Sequence, residues 1–206
     1  MKKEKKILKI AGISIWRILT YFIIYSIVGY IIETLFGLFT KGMLESRKGF
    51  LYGPFCPIYG VGAVAIILGL QCFKKNNYTL FFGGFLVGSI VEYIISYLGE
   101  VIFKVNWWDY SNNFLNINGR ICLETLIPFG ILGVAIMYGT NPILFKLYNQ
   151  IPQLVINILT VILFIGFIVD NIISSNIISS INVEGNKLIK DNTEEITEKI
   201  KQVLRQ

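Results

Sequence analysis

Gly84-Phe85-Leu86-Val87-Gly88-Ser89-Ile90-Val91-Glu92-Tyr93-Ile94-Ile95-Ser96-Tyr97-Leu98-Gly99-Glu100 decides how the rest of this 206-residue chain is read. It is apolar over a length suited to a membrane helix, yet Gly84, Gly88, Glu92, Ser96 and Glu100 recur at every fourth position. Residues four apart lie on one side of a helix, so small and acidic side chains form one slowly winding stripe. A carboxylate midway along a membrane helix costs at least ~2.5 kcal/mol on insertion scales, so the stripe is expected to face protein or a polar cavity.

The composition extends that reading to the whole chain. Hydrophobic residues make up 54% of it and the mean hydropathy is +0.62, whereas soluble domains hold roughly 45–50% apolar residues even with glycine counted. Five spans are expected, over residues 14–39, 56–73, 80–103, 121–145 and 152–181, since about 20 helical residues cross a bilayer. The fold expected is an all-α, polytopic helical bundle in the cell membrane. A basic segment, 1–13, precedes it and an amphipathic tail helix, 184–206, follows it. In that tail Asn192 reads as the helix cap, with Glu195 three residues on and Ile196, Ile200, Val203 and Leu204 on one face. Asp170 marks either the exit of the fifth span or an interior position.

The net charge of +6 falls within residues 1–183, because the tail carries five basic and five acidic residues. Lys2, Lys3, Lys5, Lys6 and Lys9 before the first span, with Lys74, Lys75 and Lys146 in later connections, place the N-terminus in the cytoplasm under the positive-inside rule. The same charge therefore points to membrane orientation and not to nucleic acid. The first apolar run exceeds the length of a signal-peptide core and is expected to stay as a span. Cys56, Cys72 and Cys122 have no paired metal-ligand spacing and read as small buried hydrophobes. No metal or cofactor is expected.

Ser26-Ile27-Val28-Gly29-Tyr30-Ile31-Ile32-Glu33-Thr34-Leu35-Phe36-Gly37 aligns with Ser89 to Glu100, with seven of twelve positions identical. Each copy leads through a polar loop containing arginine and glycine (Arg47-Lys48-Gly49; Gly119-Arg120) to a helix start rich in proline and glycine (Pro57 to Gly62; Pro128 to Gly133). This reads as two parallel helix–loop–helix units with both loops on one face. The first loop, Arg47 to Gly60, has two prolines and three glycines among Phe50, Leu51, Tyr52, Phe55 and Tyr59. Such backbone is tolerated at membrane depth only where protein or water covers it, so the loop is expected to fold back into the bundle. In the second, Asn118-Gly119 reads as a turn, and Arg120 and Glu124 stand one helical turn apart, where they could pair. Trp107 and Trp108 suit a membrane interface, but Asp109 and Arg120 ask for a further role.

The combination of Glu33, Arg47 to Gly60, Glu92-Tyr93, Glu100, Trp107-Trp108-Asp109-Tyr110-Ser111 and Asn116-Ile117-Asn118-Gly119-Arg120-Ile121 resembles the ABC-transporter type IV, or CmpB-like, permease family of bacterial integral membrane proteins. The likeness covers about residues 15–140, with Pro128-Phe129-Gly130 standing where the family tends toward a Trp-Gly pair. It implies a permease subunit of a transporter. The chain has no G-x-x-x-x-G-K-[ST] phosphate loop, so ATP hydrolysis would need a separate ATP-binding subunit, and an oligomer is compatible with that role. The substrate-binding candidates are Glu33, Arg47, Tyr52, Tyr59, Glu92, Glu100, Trp107, Trp108, Asp109, Tyr110 and Arg120. Acidic side chains beside aromatic rings suit a cationic or aromatic solute.

Two other functions fit the same residues. One is a membrane-embedded enzyme acting on a lipid or isoprenoid head group, with Glu92, Glu100 and Asp109 as acid–base groups. The chain has no histidine, which excludes histidine triads and histidine metal sites, and no D-x-x-x-D cluster. The other is a small membrane scaffold or regulator whose glutamates pair only with Arg47 and Arg120.

Overall fold

The computed structural model describes residues 9–41, 53–73, 76–104 and 106–204. Arg47 to Tyr52, the lysines of residues 1–8, and Lys74 and Lys75 lie outside the described residues.

The described residues form an all-α bundle of five helical rods. These are α1 (Ile15–Lys41), α2 (Pro57–Leu70), α3 (Asn77–Phe103), α4 (Leu123–Ala135) continued by α5 (Asn141–Gln150), and α6 (Gln153–Leu204). A π turn, Ile136–Thr140, joins α4 to α5 in one rod, and a 3-10 turn, Gln71–Phe73, ends α2. A two-stranded hairpin precedes α1, with β1 (Lys9–Ile10) antiparallel to β2 (Ile13–Ser14). Ile15–Thr40, Asn77–Ile102, Leu123–Gln150 and Gln153–Ile177 are each long and apolar enough to cross a membrane, while the second rod is shorter, at Pro57–Phe73.

The short rod has a physical cause. Pro57 opens α2 at its first turn, where the missing N–H is no loss. That turn lies beside the middle of α1, because Cys56 N donates to Ser26 O at 2.9 Å. At the other end Gln71 Nε2 reaches Ala11 O. α1 thus runs on past Ser26 to Lys41, and Gly53 to Cys56 lie against the bundle before α2 begins. Phe55, 6% exposed, packs with Ile23, Phe22, Phe164 and Phe167 where the connection returns. Asp170 of α6 accepts a hydrogen bond from Gly53 N at 3.0 Å and so ties α6 to the same place. Asp170 is thus engaged with protein and does not merely mark a helix exit.

Two boundaries differ from the sequence reading: the fourth rod runs on to Gln150, so Lys146 lies inside α5 and not in a connection, and the tail is not a separate helix. The fifth span and the tail form a single helix, Gln153–Leu204, so Asn192 lies inside α6 and starts no new one. Helical propensity carries through the polar residues beyond Ile177, and no glycine or proline signal there is strong enough to end the helix.

Between rods, glycines allow the close approach that membrane helices use in place of a hydrophobic driving force. A side chain at Gly84 would stand 2.7 Å from Phe129 O and 2.8 Å from Gly133 Cα, so α3 and α4 touch backbone to backbone. Gly88 takes the Phe129 ring and Gly130 takes Phe81 in the same seam. A second core of Tyr21, Tyr25, Ala63, Ile66, Ile67, Leu70, Leu80 and Met137 joins α1, α2, α3 and the π turn.

Gly84→Ala is expected to lower stability by about 1–3 kcal/mol through overpacking against backbone. Gly62→Ala, where a Cβ meets nothing within 4 Å, is expected to stay within about 0.5 kcal/mol of the parent. Unfolding of the purified protein in detergent checks both, and equal effects would deny the backbone contact.

Candidate functional site

Two loops return to the middle of the bundle, and each delivers a hydroxyl to a glutamate. In the first half, α2 starts after Cys56, and its third residue, Tyr59, donates its hydroxyl to Glu33 Oε1 at 2.7 Å. Gly29, one turn before Glu33, leaves the room that the Tyr59 ring occupies. In the second half, α4 starts after Cys122, and its third residue, Thr125, donates to Glu92 Oε2 at 3.2 Å. Tyr110 donates to the other oxygen of Glu92 at 3.3 Å. Glu92 is only 5% exposed, and Glu33 is half-buried.

The two carboxylates share one region. Tyr59 lies within electrostatic reach of Glu92 as well as Glu33, and Tyr110 within reach of Glu33 as well as Glu92. Burial, and then the Glu92 carboxylate, hold the Tyr110 hydroxyl above the usual tyrosine range, so it stays protonated and keeps donating. The start of α4, whose third residue touches Glu92 through a short side chain, also brings the positive end of its dipole near that carboxylate. Among the described residues no basic side chain pairs with Glu33 or Glu92: their partners are the neutral hydroxyls of Tyr59, Tyr110 and Thr125.

Farther along α3, a second group centres on Arg120. Its Nη1 donates to Ser96 Oγ at 3.2 Å, its Nη2 pairs with Glu100, and its guanidinium lies 5.8 Å from the Tyr93 ring centre and 5.5 Å from that of Tyr97. The pairing of Arg120 with Glu124 expected from their spacing does not occur, since Glu124 instead accepts from Asn113 Nδ2. Arg120 precedes α4, which begins at Leu123, so the two residues are not on one helix. The loop itself aims the arginine back at α3. Asn118 and Gly119 take left-handed conformations (φ 54° and 67°), forming the expected turn, and Ile117 bridges Ile121 across it. Tyr110 N donates to Gly119 O, and Trp108 Nε1 to Arg120 O.

The remaining candidates divide by position. Trp107 packs on Gly99 and lies 6.1 Å from Trp108. Asp109 is exposed, and the hydroxyl and backbone N–H of Ser111 hold its carboxyl below the usual range. That arrangement stabilises the loop, and no contact joins Asp109 to Glu33 or Glu92 among the described residues. Arg47 and Tyr52 are outside the described residues. Thr125, Ser96 and Tyr93 were not anticipated as site residues. Thr125 had one signal, its position three after Cys122, which matches Tyr59 three after Cys56.

An all-α bundle with several apolar spans and carboxylates held inside it defines a polytopic membrane protein. The family described as "Putative ABC-transporter type IV" matches residues 20–175, and the chain belongs to that family. No curated protein and no solved structure matches it.

Arg120→Ala is expected to cost about 2–3 kcal/mol, because two charge-assisted hydrogen bonds are lost from a side chain only 15% exposed. Arg120→Lys should recover less than half, since a lysine cannot fork to Ser96 and Glu100 together. Glu100→Ala should cost under about 1 kcal/mol, as that carboxylate is 48% exposed and screened. Detergent unfolding of the three variants checks the order, and equal losses for Arg120→Ala and Glu100→Ala would overturn it.

Proposed function

We propose that the protein is a permease-type subunit of a membrane transporter whose polar interior, at Glu33 and Glu92, takes a cationic solute. One observation carries this reading: a carboxylate as buried as Glu92 is held by neutral hydroxyl donors with no basic partner among the described residues. Hydroxyls and helix dipoles offset part of a buried charge but do not neutralise it. A cation arriving from water supplies the missing charge, and the hydroxyl oxygens of Tyr59 and Tyr110 stand beside the carboxylates as further ligands for it. Intramembrane carboxylates facing protein commonly mark such paths.

The repeat read from the sequence supports the same view. Ser26 to Gly37 and Ser89 to Glu100 correspond in sequence, and each lies on a helix whose glutamate is met by the third residue of the next helix. We read these as two parallel units that place their loops, and so their carboxylates, on one side of the membrane. The lysines before α1 put the other side in the cytoplasm. Family membership supports a partnership with a separate ATP-binding subunit, because this chain carries no phosphate loop of its own. The scaffold reading fits Glu100, which Arg120 engages, but leaves Glu33 and Glu92 without a reason.

The test is a thermal-stabilisation screen of the purified protein against inorganic and organic cations, with anions of similar size as controls. At least one cation should raise the unfolding midpoint. Glu92→Gln, which keeps the shape and a hydrogen bond to Thr125, should weaken that binding at least tenfold, about 1.4 kcal/mol, while remaining folded. A screen in which anions stabilise as well as cations, or in which Glu92→Gln binds unchanged, overturns the proposal.

A further inference from the structure

Where α3 ends, an open cleft of about 360 Å³ is lined by Tyr97, Glu100, Val101, Lys104, Asn106 and Arg120. It is separate from the Glu33–Glu92 region and lies on the outer side of the Arg120–Glu100 pair. The apolar span of α3 stops at Ile102, so the cleft lies at the level where hydrocarbon gives way to headgroups, beside Trp107 and Trp108. Its charged groups are two cations, Lys104 and Arg120, and one carboxylate, Glu100, which leaves one positive charge in excess. Glu100 is already engaged by Arg120. The excess charge therefore resides on Lys104, an exposed ammonium with no hydrogen-bond or ionic partner among the described residues. The other wall is apolar and continues down the helix: Val101 is 47% exposed, Tyr97 50%, Leu98 44% and Ile94 48%.

We propose that this cleft binds the phosphate of an anionic phospholipid. The phosphodiester oxygens sit between Lys104, Asn106 and the N–H groups of Arg120 that Ser96 and Glu100 do not take, and an acyl chain lies along Tyr97, Val101 and Ile94. Three features select this ligand. One net positive charge is neutralised by one phosphodiester anion, whereas a zwitterionic headgroup brings its own ammonium and leaves the excess uncompensated. A phosphate needs several N–H donors on one side, and lysine, asparagine and arginine provide them. The apolar wall adds contact that a soluble phosphate cannot use.

The test uses the full chain purified in detergent and depleted of lipid, with native mass spectrometry following the uptake of phosphatidylglycerol, phosphatidylcholine and, separately, soluble glycerophosphate. Phosphatidylglycerol should bind at least about fivefold more tightly than phosphatidylcholine, the effect expected of one cation at a membrane surface. Lys104→Gln, an exposed position, should erase that preference. Glu100→Gln should tighten phosphatidylglycerol binding, because the guanidinium is then released toward the phosphate. Equal retention of the two lipids, an unchanged preference in Lys104→Gln, or weaker binding in Glu100→Gln overturns the proposal. Glycerophosphate bound as tightly as the lipid overturns the lipid assignment and leaves a phosphate site.

Discussion

The hydrogen bonds from the third residues of α2 and α4 to Glu33 and Glu92 are the constraint on which the bundle depends. A carboxylate inside a bilayer is tolerated only where polar groups are brought to it, and neither α1 nor α3 can supply them from its own apolar surface. The donors have to arrive on other segments. That requirement explains why two connections turn back into the protein and why α2 is short. A helix that began at the membrane surface would carry its first turn past the glutamate, whereas one that begins beside Ser26 presents its Tyr59 hydroxyl there.

Irregular backbone at that depth must itself be satisfied, and the rest of the molecule does this. Ser26 O accepts from Cys56 N, and Asp170 accepts from Gly53 N. Phe55 is covered by aromatic rings from α1 and α6. In the second loop the same task falls to the Asn118–Gly119 turn and to Arg120, whose fork reaches Ser96 and Glu100 while its backbone carbonyl accepts from Trp108. Asp170 and Arg120 are thus latches for the two loops, on opposite charges, and each secures the helix start that meets a glutamate.

Much of this was legible in the residues. Glu92 stood out because acidic and small side chains recur at four-residue spacing in an apolar helix, a pattern that local periodicity reports directly. Prolines and glycines among aromatics marked the first loop as folded inward, which its described part, Gly53 to Gly60, does, and Asn118-Gly119 marked the turn of the second loop, since both follow from backbone chemistry. Arg120 was misassigned to Glu124. Sequence spacing assumes one helix through both residues, yet α4 starts between them, and the guanidinium turns to α3. The continuity of α6 was also hidden, because polar residues beyond Ile177 look like a new segment although no residue there stops a helix. Thr125 carries no charge and attracts no notice until its neighbours in space are known, and Ser96, read only as a small member of the stripe, proves to accept from Arg120.

By itself, the order of residues determined that this chain is a polytopic helical membrane protein with carboxylates it cannot expose to lipid. Hydrophobic length and helical period are properties of neighbouring residues and need no partner to be read. Only the tertiary structure decided which groups answer those carboxylates. Tyr59 lies 26 residues from Glu33, Thr125 lies 33 from Glu92, and Asp170 lies 117 from Gly53. Pairings of that range are set by where loops return and helices cross, which depends on glycine contacts such as Gly84 with Gly133 and not on any local preference of the chain.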